Sequence, residues 1–388
     1  MFLKKIILIS LFILLSVNIL ADELLIHGEL KSQLELNLDE ELLIEEANNV
    51  LKLELSHYNS NSGLFKGAFK YESNKNTVDL TELYSELYFA NTDLIIGKQR
   101  ISWGKGDGMN PTDYFNPEDL SDPFQGDNRI NIPAVRVKRY YQDWEFDLVW
   151  TPIFRGNKLP QPGDRWYLEP DFKLPPGYSL IMKDLLEPER KLDNSQLGFR
   201  AVRWSADIDM SFSYYYGWRK DYTIYTSIDK SNSQIILEAK YNRLQGIGAD
   251  FSKPCGKYVF RGETTYFKTV DEDIKEDYIQ YVLGVDFNVV DNLYINTSFF
   301  GEKEKDQGSE NGITLLLEYS LDDYSKLELN TIYMLKNEEM IINPVYQNDI
   351  MDSVSLSIGA YLLNGSDGGD IGQFTDKDYM YIEFAKVF

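Results

Sequence analysis

Ile208-Asp209-Met210-Ser211-Phe212-Ser213-Tyr214-Tyr215-Tyr216 decides the fold. Apolar and aromatic side chains at 208, 210, 212, 214 and 216 alternate with Asp209, Ser211 and Ser213. Successive side chains of an extended chain point to opposite faces, so this period of two marks a strand with one apolar and one polar face. The pattern repeats outward in both directions. Leu51, Leu53 and Leu55 alternate with Lys52 and Glu54, and Trp144, Phe146, Leu148 and Trp150 alternate with Glu145 and Asp147. Segments of this kind run ~10 residues, the length a tilted strand needs to cross a bilayer.

The spacing predicts strands at residues 24–38, 48–58, 64–73, 80–90, 93–101, 132–140, 143–151, 195–205, 207–217, 234–252, 257–269, 276–288, 292–302, 311–320, 325–336, 339–347, 353–363 and 378–388. That is an all-β chain of about 18 strands, or about 16 if the segment interrupted by Pro344 and one other fail, either an even number as a single-chain barrel requires. Tight connections at Tyr141-Gln142, Ser205-Ala206 and Val290-Asp291 alternate with long polar ones. Membrane barrels put short turns in the periplasm and long loops outside. Proline follows this map. None occurs before Pro111, three fall in a loop near 102–131, and seven of the 13 lie from Pro152 to Pro188 in a loop near 152–194. The expected architecture is a transmembrane antiparallel up-and-down β-barrel over residues 22–388.

Residues 1–21 read as a signal peptide. Lys4 and Lys5 precede an apolar run from Ile6 to Leu15, and Ala21 ends a cleavage site. Beyond it no apolar run approaches the ~18 residues of a spanning helix. Of the 388 residues 14% are aromatic, with 27 Tyr and 21 Phe, while hydrophobic residues are only 43%. That combination suits a barrel with aromatic girdles and a polar lumen. The net charge of −23 argues against nucleic acid as a partner.

Little points to an enzyme. The two histidines, His27 and His57, lie on strands and have no metal-ligand spacing. Adjacent carboxylates such as Glu45-Glu46 and Asp322-Asp323 sit in connections and do not converge. Cys255, the single cysteine, falls in a Lys-Pro-Cys-Gly turn. Neither a cofactor nor a metal is expected.

The last strand, Asp378 to Phe388, places Met380, Ile382, Phe384 and Phe388 on one face. It resembles the C-terminal signature of bacterial outer-membrane barrels. The resemblance implies insertion by the barrel-assembly machinery into outer-membrane lipid. Gly97-Lys98-Gln99-Arg100-Ile101-Ser102-Trp103-Gly104, followed by Asn110-Pro111 and Asn116-Pro117, resembles a segment of porin-like barrels related to the alginate-export family. That resemblance implies a diffusion or export channel in the bacterial outer membrane.

A barrel of this size holds an aqueous lumen unless plugged. The expected function is passive diffusion of small hydrophilic solutes. A polysaccharide-export conduit and a structural or adhesive barrel with a filled lumen are the alternatives, and a homo-oligomer is compatible with each. The loop near 102–131 is the candidate constriction, with Trp103 expected both to anchor it against the wall and to line the constriction. Lys98, Arg100, Asp107, Asp113, Asp119, Arg136, Lys138 and Arg200 are the candidate pore-lining charges. Counting strand positions gives more lumen acids than bases, hence a weak cation preference, with the loop's aspartates in water.

Overall fold

The computed structural model describes residues 24–38, 44–59, 63–106, 108–124, 128–169, 174–270, 277–305, 308–366 and 368–388. The expected signal peptide and Asp107 lie outside the described residues.

The first seven strands are β1 (Leu24–Asn37), β2 (Ile44–Asn59), β3 (Gly63–Glu72), β4 (Thr77–Phe89), β5 (Thr92–Gln99), β6 (Ile132–Tyr141) and β7 (Trp144–Thr151). Next come β8 (Ser179–Met182), β9 (Gln196–Arg203), β10 (Asp209–Trp218), β11 (Thr223–Asp229), β12 (Gln234–Lys240) and β13 (Arg243–Cys255). The chain closes with β14 (Tyr258–Thr269), β15 (Tyr278–Val290), β16 (Leu293–Glu304), β17 (Ser309–Ser320), β18 (Ser325–Met334), β19 (Glu339–Met351), β20 (Val354–Asn364) and β21 (Tyr379–Val387).

Eighteen of these form one antiparallel sheet in which each strand pairs with the next, and β1 pairs with β21 to close it. The result is an all-β, 18-strand up-and-down barrel. The remaining three, in the order β11-β12-β8, form a small separate sheet. One correction follows. Residues 234–252 read as a single strand, but the chain breaks at Tyr241-Asn242, so Gln234–Lys240 pairs with β11 and β8 while Arg243–Cys255 belongs to the barrel. The alternation slips by one residue at the break, from apolar 237, 239 and 241 through the polar pair Asn242-Arg243 to Leu244, and reading 234–252 as one strand passes over that slip.

The barrel is apolar outside and polar inside. On β10, Phe212 and Tyr214 are exposed while Ser211, Ser213 and Tyr215 are buried; on β14, Phe260 and Tyr266 are exposed while Glu263, Thr265 and Phe267 are buried. Large apolar side chains facing outward and carboxylates facing inward invert the arrangement of a water-soluble sheet, and a surrounding bilayer is the solvent that favours it.

Pro344 sits in β19 opposite Leu329 of β18. Having no N–H, it cannot donate on its β20 side. The Ala360 carbonyl accepts instead from the side-chain amide of Asn343, at 2.8 Å. This local substitute explains how the strand tolerates proline.

The start of β1 and the end of β21 lie at the barrel end that carries the short turns, such as 142–143 and 291–292. The long connections 100–131, 152–195 and 219–242 all leave from the opposite end.

Candidate functional site

The loop from 100 to 131 turns into the barrel and packs against the β7–β15 side. Trp103, Tyr114 and Phe115 of the loop form one buried cluster with Ile132, Val149, Tyr215, Leu244, Phe267 and Tyr278 of the wall. The rings meet edge-on or stacked, as with Trp103 on Phe115 at 5.3 Å and Tyr114 on Tyr215 at 4.9 Å, geometries that complement the ring quadrupoles. Gly198 is what lets β9 come under these rings, since a Cβ there would lie 2.4 Å from the Phe115 ring.

Polar wall groups fix the loop backbone. Trp103 Nε1 donates to Asp147 at 2.8 Å, and the Tyr114 hydroxyl bonds Ser213 and Thr265. Glu263 of β14 is buried and accepts four hydrogen bonds, from the backbone N–H groups of Lys105, Gly106 and Thr112 and from the Thr112 hydroxyl, at 2.6–2.9 Å. A buried carboxylate is costly unless such donors replace its water.

Beyond this anchor the loop meets the one that follows β7. Leu120 N–H donates to Lys158 and Lys158 N–H donates to Glu118, both at 2.8 Å, so the two loops zip together. Their tips reach the far wall. Phe124 packs on Trp166 at 4.6 Å, and the Tyr361 hydroxyl of β20 donates to the Phe124 carbonyl at 2.9 Å. Arg165 lies over the Tyr379 ring at 4.2 Å and pairs with Glu35 of β1 at 2.9 Å. The joined loops thus cross the barrel mouth as a strap.

Between the strap, the inward loop and the β1–β5 and β18–β21 walls is a cavity of about 1040 Å³. Ten Lys or Arg and eight Asp or Glu side chains line it. Most of the cations are paired: Lys66 bridges Glu54 and Glu82 at 2.9 and 3.0 Å, Lys31 meets Glu383 at 3.2 Å, and Lys52 meets Glu29 at 2.8 Å.

The structure divides the expected pore residues. Lys98, Arg100 and Asp119 line the cavity. Lys98 reaches the Leu80 carbonyl, and Arg100 reaches that of Arg129. Burial opposes ionisation of Asp119, but Lys158 at 2.8 Å and the Ser121 hydroxyl outweigh it and hold the carboxyl below its usual range. Lys138 pairs with Glu145 at 3.9 Å, away from the cavity lining.

Four expectations need correction. Trp103 anchors the loop but is buried and does not reach the cavity. Asp113, expected in water, is buried and bound to Arg129 at 2.6 Å. Arg136 grips Asp147 through Nε at 2.9 Å. Arg200 is buried between Ser211 and Asp250, at 2.9 and 2.8 Å. The inward path of the loop accounts for Trp103 and Asp113, which it buries against the wall and Arg129, while Arg136 and Arg200 are taken up by the wall carboxylates Asp147 and Asp250. Sequence reading also missed Arg155, Lys158, Tyr361 and Tyr381, which line the cavity. Alternation could have marked the tyrosines as inward-facing. Arg155 and Lys158 lie in a loop, where no periodicity reports direction.

Met380, Ile382, Phe384 and Phe388 occupy alternate positions of the closing segment. Phe384 and Phe388 are exposed on the outside, while Tyr379, Tyr381 and Glu383 line the cavity. Phe388 and Gly28 exchange backbone hydrogen bonds at 2.8 and 2.9 Å, extending the seam with β1.

No protein-family model and no curated protein sequence matches the chain. Solved structures do. OccK3 (OpdO) of Pseudomonas aeruginosa is 7% identical with a TM-score of 0.60, over 96% of this chain and 97% of that one. OccK11 (OpdR) of the same organism is 6% identical at 0.58, over 94% and 96%. OccAB4 of Acinetobacter baumannii is 10% identical at 0.55, over 95% and 99%. At such low identity the likeness is one of fold alone: this chain has a porin-like β-barrel fold.

Proposed function

We propose that the chain is an outer-membrane channel for passive diffusion of small hydrophilic solutes, with the loop near 102–131 setting its constriction. One observation carries the reading: the inward loop fills one side of the lumen with a dry aromatic cluster and leaves a charged cavity on the other. A structural barrel with a filled lumen has no need of that asymmetry. The strap across the mouth likewise counts against a polysaccharide conduit, since a stiff polymer must thread the opening. Kinship with the alginate-export family has only the short segment around Trp103 behind it.

In this reading the long loops face outside and the short turns and both termini face the periplasm, after removal of residues 1–21. The barrel-assembly machinery inserts the chain through its Phe388-terminated strand. The protein works as a channel and not as an enzyme, without cofactor, alone or as a homo-oligomer.

The cavity lining also revises the expected charge preference. Counting strand positions favours cations, but several of the acids so counted are bound beneath the loop, among them Asp147 to Arg136 and Glu263 to the loop backbone. The open side has two more bases than acids, with Arg155 acting electrostatically on Lys98. Most charges are paired, and the fields of close opposite charges cancel beyond ~10 Å at ordinary salt. A mild anion preference follows. Reversal potentials across a KCl gradient test it. The parent should favour chloride modestly, and Lys98→Gln with Arg155→Gln should bring the potential close to zero. A parent that favours potassium contradicts the assignment.

A further inference from the structure

The cavity has two unlike walls. The β1–β5 side carries ion pairs, as at Lys66 with Glu54 and Glu82. Among the residues that line it, the β18–β21 side has no Lys or Arg; its lining is mainly amides and tyrosines. Asn330, Asn343 and Gln347 lie on β18 and β19, and Tyr361, Tyr379 and Tyr381 on β20 and β21.

The tyrosines form a continuous row. Tyr361 stacks on Tyr379 with centroids 5.2 Å apart at 25°, and on Tyr381 at 6.0 Å and 30°. Tyr381 is the member farthest from the strap. Its cross-strand neighbour is Gly359, where an added Cβ would fall 2.5 Å from the Tyr381 ring. The ring therefore lies down against the bare backbone of Gly359, which leaves its other face toward the cavity. Any larger residue at 359 would push the ring away from the wall.

We propose that this wall is a binding track for carbohydrate rings, with Tyr381 as its stacking platform. The inference rests on the channel reading and names a solute class for it. A pyranose has a face of C–H groups and a rim of hydroxyls. The C–H face suits the electron-rich face of an aromatic ring. Each hydroxyl both donates and accepts, and side-chain amides do the same, so Asn330 and Gln347 on the same wall can satisfy the rim. A wall without cations favours a neutral ring over an anion. Flat stacking is tolerant of ring identity, so the track fits weak binding of several mono- and disaccharides, as passage through a channel requires.

The test is the ionic current through the full chain in a planar bilayer, titrated with glucose, maltose and sucrose. Glycerol at matched viscosity serves as the control without a ring face. The expected result is saturable block by at least one of the sugars and none by glycerol. Tyr381→Ala should weaken the block about tenfold, which is about 1.4 kcal/mol. Tyr381→Phe should retain most of it, because the face survives without the hydroxyl, and Gly359→Val should lose it by lifting the ring. A conducting channel that no sugar blocks beyond the viscosity effect overturns the carbohydrate track and leaves the channel reading intact. Sugar block unchanged in both Tyr381→Ala and Gly359→Val overturns the assignment to this wall. A chain that conducts no ions overturns the channel reading itself and the track with it.

Discussion

Glu263 is, among the described residues, the wall residue with the most hydrogen bonds to the inward loop's backbone. One of its oxygens accepts from Lys105 and Gly106 N–H and the other from Thr112 N–H and hydroxyl. Glu263→Gln keeps the size but turns one of the two oxygens into an NH₂. Whichever way the amide is turned, at least one backbone N–H then faces another donor, that of Thr112 on one side or those of Lys105 and Gly106 on the other. A buried donor left unpaired costs about 1–3 kcal/mol, most of it borne by the loop because the barrel's own ladder is untouched. The expected outcome is a barrel that folds as before but is cut by protease between 105 and 112 under native conditions, where the parent resists. Equal resistance of the two proteins would show that the aromatic cluster alone holds the loop. None of this was legible in the sequence. Glu263 and Thr112 lie 151 positions apart, and Glu263 reads as one more inward carboxylate on an alternating strand. Asp113 misled for a related reason. A loop aspartate is ordinarily wet, and only the folded-in path brings it against Arg129.

At the scale of elements, the period of two carried almost the whole barrel. The eighteen expected strands and the eighteen observed coincide closely, because lipid outside and water inside impose the alternation on every strand. The exceptions are places where partner and period part company. The segment 234–252 reads as one strand but is two strands in two sheets, with the alternation slipping by one residue at Asn242-Arg243. The small sheet of β8, β11 and β12 lies in connections, where the bilayer imposes no pattern. The closing seam is the element most open to test. A Cβ on Gly28 would lie 2.2–2.8 Å from atoms of the Phe388 ring, so the terminal phenyl group covers the bare backbone of β1. Glycine weakens a strand interior unless a neighbour fills its space, and here the last residue of the chain does. Gly28→Leu should slow closure and reduce the fraction of heat-modifiable, folded barrel on a gel. Combining it with Phe388→Ala should recover part of that fraction, since the leucine then occupies the vacated space. If the double variant folds no better than Gly28→Leu alone, the two residues are not complementary at the seam.

For the whole molecule, three levels agree. The outer face is apolar and the inner face polar. The loop that enters the barrel brings its own aromatic residues and so dries the β7–β15 side. What remains open is the off-centre cavity beside β1–β5 and β18–β21, which is the proposed passage. Ser357 lines it from β20, while Thr265 of β14 is fully buried beneath the loop. The most direct measurement is single-channel current through Ser357→Cys and Thr265→Cys, each in a chain whose native Cys255 is serine, before and after a bulky water-soluble thiol reagent. The off-centre passage predicts that Ser357→Cys conducts and is blocked stepwise by the reagent, while Thr265→Cys conducts and is unaffected. Block at 265 with none at 357 would contradict the account, because solutes would then pass on the side that the loop is said to close.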